Sequence, residues 1–180
     1  MTEPSEQLCR RAVKARMDNR LDDARRDLIE AVALCREAGE AIDLAKALTS
    51  LGQIERDMHK SDSAIRNYEE AVDIYRTNAD ALRLAHSIRH LGDIYRNQGR
   101  THLAEPCYRE ALEIYRREDG TLPLDLANAI RGFAILQHDA GATEEAKTLW
   151  EEARELYASV DVKEGVAESS RRLALLAGQP

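Results

Sequence analysis

AHSIRHLGDIYRNQGRTHLAEPCYREALEIYR, residues Ala85–Arg116, decides the fold because the chain writes it again on both sides. Forty residues earlier stands AKALTSLGQIERDMHKSDSAIRNYEEAVDIYR (Ala45–Arg76). Forty-two residues later comes ANAIRGFAILQHDAGATEEAKTLWEEARELYA (Ala127–Ala158), with the two extra residues in the EDGTLP loop. A weaker first copy, SEQLCRRAVKARMDNRLDDARRDLIEAVALCR, runs Ser5–Arg36, and a half copy, Ala167–Ala177, follows the last. Such a period marks an array of small units that stack, each too small to bury its own apolar face alone.

The equivalent columns carry the physics. Small residues recur at Ala12, Gly52, Gly92, Ala134 and Ala174, again at Ala24, Ala64, Ala104 and Ala146, and again at Ala31, Ala71, Ala111 and Ala153. They let two helices of a pair approach closely, where a larger side chain would hold the backbones apart. A column of Leu28, Tyr68, Tyr108 and Trp150 fills the space the small residues leave. In the first helix of a pair, Leu48, Leu51 and Gly52, or Ile88, Leu91, Gly92 and Tyr95, fall on one face at helical spacing. Asn19, His59, Gly99 and Gly141 share a column between helices, where a left-handed residue must end the first helix. Ser61, Thr101 and Thr143, two residues on, are expected to cap the second helix, and Pro106 to sit early in its own, where a missing N–H costs least.

Composition agrees. Of 180 residues 43% are hydrophobic and 33% charged, with only 4 prolines and 9 glycines, which favours long helices around an apolar core. The formal charge of −7 argues against nucleic acid or an anionic membrane as partner. No apolar run approaches membrane-spanning length, and MTEPSEQ lacks the basic start and apolar stretch of a secretion signal. Cys9, Cys35 and Cys107, odd in number and far apart, suit reduced thiols, so the expected location is the cytoplasm.

The columns resemble the tetratricopeptide repeat, with LGDIY (Leu91–Tyr95), Gly99, Ala104, Tyr108 and Ala111 carrying the match best. The closing proline of that pattern is absent, and the period is 40–42 rather than 34. Both departures imply longer helices, similar to the arrays of kinesin light chains, Pins-type polarity adaptors and bacterial peptide sensors. The resemblance implies an all-α fold, a right-handed α-solenoid of antiparallel helix pairs with about nine helices. The expected organisation is a single solenoid domain over 1–180, with repeats at about 5–40, 41–80, 81–122 and 123–162. A capping helix over 163–177, its Leu173 and Leu176 turned inward, would close the array and make the chain complete.

The resemblance further implies that the first helix of each pair lines a concave groove. The residues flanking its core face then form columns. One reads Glu6, Lys46, His86, Asn128, Glu168; a second Cys9, Thr49, Arg89, Arg131, Arg171; a third Val13, Gln53, Asp93, Ile135, Leu175. Two more read Arg16, Arg56, Arg96, His138 and Met17, Asp57, Asn97, Asp139. Seven of these residues are basic and five acidic, a +2 wall on a body of −9. The candidate ligand-binding residues are therefore Lys46, Arg56, His86, Arg89, Asp93, Arg96, Asn97, Asn128, Arg131, His138 and Arg171. Guanidinium groups at regular spacing suit carboxylates of a protein or peptide. Arg89 and Asp93, four apart on one helix, can also neutralise each other.

No catalytic constellation emerges: there is no phosphate loop, nucleophile elbow, HExxH or CxxC. His86 and His90 share a helix face but lack an obvious third ligand, so neither a metal nor another cofactor is expected. Tyr75, Tyr115 and Tyr157 suit packing against the following repeat better than a ligand platform. The expected function is a non-catalytic protein- or peptide-binding scaffold, with an arginine wall favouring acidic segments. The competing functions are a self-associating architectural module, which leaves a homo-oligomer possible, and a peptide-sensing regulatory subunit acting on a separate effector.

Overall fold

The computed structural model describes residues 3–178. Among them the chain forms nine α-helices and no strand. They are α1 (Glu3–Met17), α2 (Leu21–Glu37), α3 (Ala41–Asp57), α4 (Ser61–Thr77), α5 (Ala81–Asn97), α6 (Thr101–Arg117), α7 (Pro123–Asp139), α8 (Thr143–Ser159) and α9 (Lys163–Ala177). Each repeat read from the sequence yields one helix pair, and the half copy yields α9. The period follows from these lengths: α3 and α4 are each 17 residues long, as are α2 and α5 to α8, and three-residue turns separate them. Two helices and two turns make 40. The single longer connection, 118–122, makes 42.

The turns are specified locally. Positive φ falls at Asn19, Gly39, His59, Ala79, Gly99, Gly141 and Asp161. After each, the next backbone N–H reaches back five residues, as in Lys60 N to Glu55 O at 2.8 Å and Ala142 N to Gln137 O at 2.9 Å. The positive-φ residue itself bonds three back, as in Gly99 N to Arg96 O at 2.9 Å. This paired closure satisfies the last carbonyls of the helix and reverses the chain in three residues.

Two local expectations are corrected. Ser61, Thr101 and Thr143 are already helical, and the caps are Lys60, Arg100 and Ala142, none making a side-chain cap bond. The residue after the left-handed turn position serves at once as end of one helix and start of the next, so no room remains for a separate capping side chain. Pro106 stands at the sixth position of α6, past the first turn. Its missing N–H therefore forgoes an internal bond to the carbonyl of His102.

The chain separates into two compact units, one through Ser87 and one from Ile88 onward. In the first, α1 packs on α2, α2 on α3 and α3 on α4. Its core draws on Leu8, Leu28, Leu48, Leu51, Ile54 and Tyr75. In the second, α6 packs on α7, α7 on α8 and α8 on α9. Tyr108 and Trp150 are completely buried there, and Ile130 and Phe133 of α7 and Leu176 of α9 are buried as well. The small-residue columns do what their spacing requires. A Cβ on Gly52 would lie 2.9 Å from the Tyr68 ring, and one on Gly92 would lie 3.2 Å from that of Tyr108.

Candidate functional site

In the first unit the candidate wall residues stand on α1, α3 and the start of α5, and most are already engaged. Lys46 Nζ pairs with Asp43 one turn back at 2.8 Å. Arg16 Nε bonds Asp57 at 2.8 Å, and Arg56 reaches the same carboxylate at 3.5 Å. His86 is half-buried. Met17 and Val13 leave apolar surface beside Arg16, the two residues being 83% and 59% exposed.

In the second unit the wall residues stand on α5, α7 and α9, and they divide into a buried set and an open set. Arg89 and Asp93 form the buried set. The Arg89 side chain is only 11% exposed; its Nη1 donates to Asp93 Oδ2 at 3.0 Å and its Nη2 to His90 Nε2 at 2.8 Å. A guanidinium has no acceptor, so His90 carries its proton on Nδ1, 3.6 Å from the same carboxylate. Tyr108, coming from α6, donates its hydroxyl to Asp93 Oδ1 at 2.7 Å. Burial pushes the Asp93 carboxyl up, yet the nearby His90 imidazole, the charge of Arg89 and the hydrogen bond from the Tyr108 hydroxyl outweigh it and hold the group well below the usual carboxylate range. Burial, then the Asp93 charge, push the Tyr108 hydroxyl far up, and burial pushes that of Tyr115 up to about 12. This cluster ties α5 to α6. Arg96 extends the tie to α7, donating Nη1 to the carbonyl of Gly132 at 3.2 Å and Nη2 to exposed Asn97 at 3.1 Å.

Arg131, Asn128, His138 and Arg171 form the more open set. Arg131 on α7 grips Glu168 on α9 with both arms, Nε to Oε2 at 2.6 Å and Nη2 to Oε1 at 2.9 Å. That hydrogen bonding raises the Arg131 guanidinium and lowers the Glu168 carboxyl, the latter helped by the charges of Arg172 and Arg171. Asn128 accepts from the Tyr157 hydroxyl at 2.9 Å. His138 is half-buried, with Nδ1 shielded from solvent and without a partner. Arg171 is exposed and makes no hydrogen bond or ion pair among the described residues.

Several engagements were not legible in the columns. The Arg131–Glu168 clamp joins residues 37 apart, one repeat less one helical turn, a spacing visible only once neighbouring first helices are laid side by side. Glu55 and Asp27 are almost fully buried carboxylates, met by Arg25 and Arg11 at 2.8 and 2.9 Å. Glu55 stands where the next copy places Tyr95 on its core face, so its burial was readable; Asp27, matched by Asn67 and Cys107, carried no such signal. Tyr75, Tyr115 and Tyr157 are buried, which assigns them to packing. Cys9 and Cys107 are half-buried and Cys35 buried, and none of the three forms a disulfide among the described residues. Among the described residues no three of His, Cys, Asp and Glu gather where they could hold a metal ion, and no helix is long and apolar enough to cross a membrane.

The sequence matches the family described as tetratricopeptide repeat over residues 10–77 and 80–159, and the chain belongs to that family. Among solved structures it is similar to BtubC (BKLC) from P. vanneervenii, with a TM-score of 0.78 at 20% identity over 87% of this chain and 64% of that one. The chain thus spans less than two thirds of that protein. It is also similar to the Q17M form of a Podosopora anserina protein of nearly identical TPR-like repeats, provisionally assigned to the kinesin light chains. There the TM-score is 0.77 at 16% identity, over 98% of this chain and 87% of that one. At such identities the likeness concerns the fold alone. No curated protein matches the sequence.

Proposed function

We propose that the chain is a non-catalytic scaffold, a single domain of the cytoplasm, that holds a protein or peptide segment bearing acidic side chains against the wall of its first helices. The observation that carries this is the grip of Arg131 on a carboxylate, two-armed and partly open to solvent, with the exposed Arg171 three residues on from that carboxylate and its charge acting on it. Planar bidentate recognition is what arginine supplies and lysine does not. Lys46 and Arg56 add half-open cations within the first unit. Arg89 lies deep in its own network, so its role in this proposal is to position α5, and reversing it would test folding rather than capture.

The test uses a fluorescein-labelled glutamate-rich peptide and its lysine-rich counterpart, followed by anisotropy. The wild type binds the acidic peptide in preference, and Arg131→Glu combined with Arg171→Glu weakens that binding by about tenfold or more, as close charge pairs at interfaces do. Equal binding of both peptides, or indifference to the double reversal, sinks the proposal.

A further inference from the structure

We infer that Glu168 is a built-in competitor for the partner's carboxylate, seated in the Arg131 site until an acidic segment displaces it. The inference rests on the function proposed above and adds its regulation.

Three features of the α7–α9 face lead to it. Glu168 occupies both donor arms of Arg131, at 2.6 and 2.9 Å, in the arrangement an incoming carboxylate would need. Cations crowd it: Arg131 acts on this carboxylate most strongly, then Arg172 and Arg171, while Asp93 is the other carboxylate that acts on Arg131. Arg172 is further held over the Trp150 ring, 5.8 Å from its centroid, which keeps that cation near the site.

The exchange needs only a side chain to move. α9 is docked by other residues: Gly165 lies close against the Tyr157 ring, and Ser169 and Leu176 are buried. None of those contacts runs through the Glu168 carboxylate, whose side chain is 22% exposed against 39% for Arg131. A glutamate side chain can therefore swing to solvent while its helix stays in place. A partner bearing one carboxylate exchanges one ion pair for another and gains little. A segment with two or more carboxylates gains Arg171 as well, so the internal glutamate selects for acidic runs over isolated acids.

The experiment measures binding of fluorescein-labelled hexaglutamate to full-length chains at low ionic strength. Glu168→Gln keeps the shape but not the charge, and binding is expected to tighten about tenfold. Glu164→Gln, one turn earlier on α9 and exposed, makes the same change in net charge and is expected to alter affinity by less than about twofold. Glu168→Asp, which keeps the charge but shortens the reach, should tighten binding less than Glu168→Gln, and it provides the test if the glutamine variant fails to fold. Adding Arg131→Gln to Glu168→Gln should abolish the gain. Unchanged or weaker binding by Glu168→Gln, or an equal gain from Glu164→Gln, overturns the competitor role. Wild-type binding that ignores both Arg131→Gln and Arg171→Gln overturns the wall itself, a separate and distinguishable failure.

Discussion

Gly132→Ala places two opposed effects in one substitution. In an unobstructed helix interior, glycine to alanine stabilises by about 1 kcal/mol, because glycine loses more backbone entropy on folding. At Gly132 the new Cβ would fall 2.6 Å from Tyr108 Cε1, 2.9 Å from its hydroxyl oxygen and 3.0 Å from Cζ. Ordinary carbon contact needs about 3.5 Å or more, so the ring or α7 must shift by most of an ångström. Neither has slack. Tyr108 is wholly buried, its hydroxyl is bonded to Asp93 at 2.7 Å, and its ring meets Phe133 at a centroid distance of 6.0 Å. Overpacking of this kind costs about 1–3 kcal/mol, and loosening a hydrogen bond to a charged group adds about 1.5–3 kcal/mol if the bond is lost. The strain wins: set against the gain of about 1 kcal/mol, overpacking together with the lost bond leaves a net loss of about 1.5–5 kcal/mol. For a chain of this size that lowers the melting temperature by roughly 2–4 °C per kcal/mol. Thermal unfolding followed by circular dichroism at 222 nm reads it directly. Gly92→Ala is the internal control: its nearest contacts would be 3.2 and 3.3 Å, and its net change should lie near zero. A Gly132→Ala chain as stable as the wild type, or more stable, would refute the close-approach argument.

Other consequences are simpler to state. Ala79 holds φ at 55° without being glycine, so Ala79→Gly should stabilise by about 1 kcal/mol, seen as a higher urea midpoint at unchanged slope; a lower midpoint would contradict the turn assignment. Asp93 and Glu168 both have lowered carboxyl values, so each contributes stability that is complete above the unfolded value, near pH 4. That contribution is lost as pH falls through the lower folded value. The melting temperature should therefore hold from about pH 7 to 5 and decline below about pH 4, with a smaller decline in Glu168→Gln. An identical decline in that variant would remove Glu168 from the account.

The repeat was legible almost in full, because small residues, aromatics and left-handed turn positions recur at fixed offsets and each has a steric reason. The positive φ at Asn19, His59, Gly99 and Gly141 followed from that column alone. What escaped were contacts between successive repeats. Ala134 of the small-residue column is buried in α7, but the close approach of α7 to Tyr108 is made by Gly132, which lies outside that column. The aromatic is clasped by its own first helix at Gly92 and by the next one at Gly132, and a single-repeat pattern encodes only half of that grip. The same holds for Gly165 under Tyr157. The wall suffered similarly: charge columns located Arg89 and Arg131 together, but burial separates them, one locked among Asp93 and His90 and the other open to a carboxylate.

At 20.2 kDa the chain is within reach of amide-resolved nuclear magnetic resonance, which tests the central claim most directly. Titrating hexaglutamate into the labelled wild type should perturb the amides of Asn128, Arg131, Glu168 and Arg171 first and most, with saturation at a common affinity. Perturbations scattered over the second helices α6 and α8, or none at the Arg131 and Arg171 amides, would contradict it.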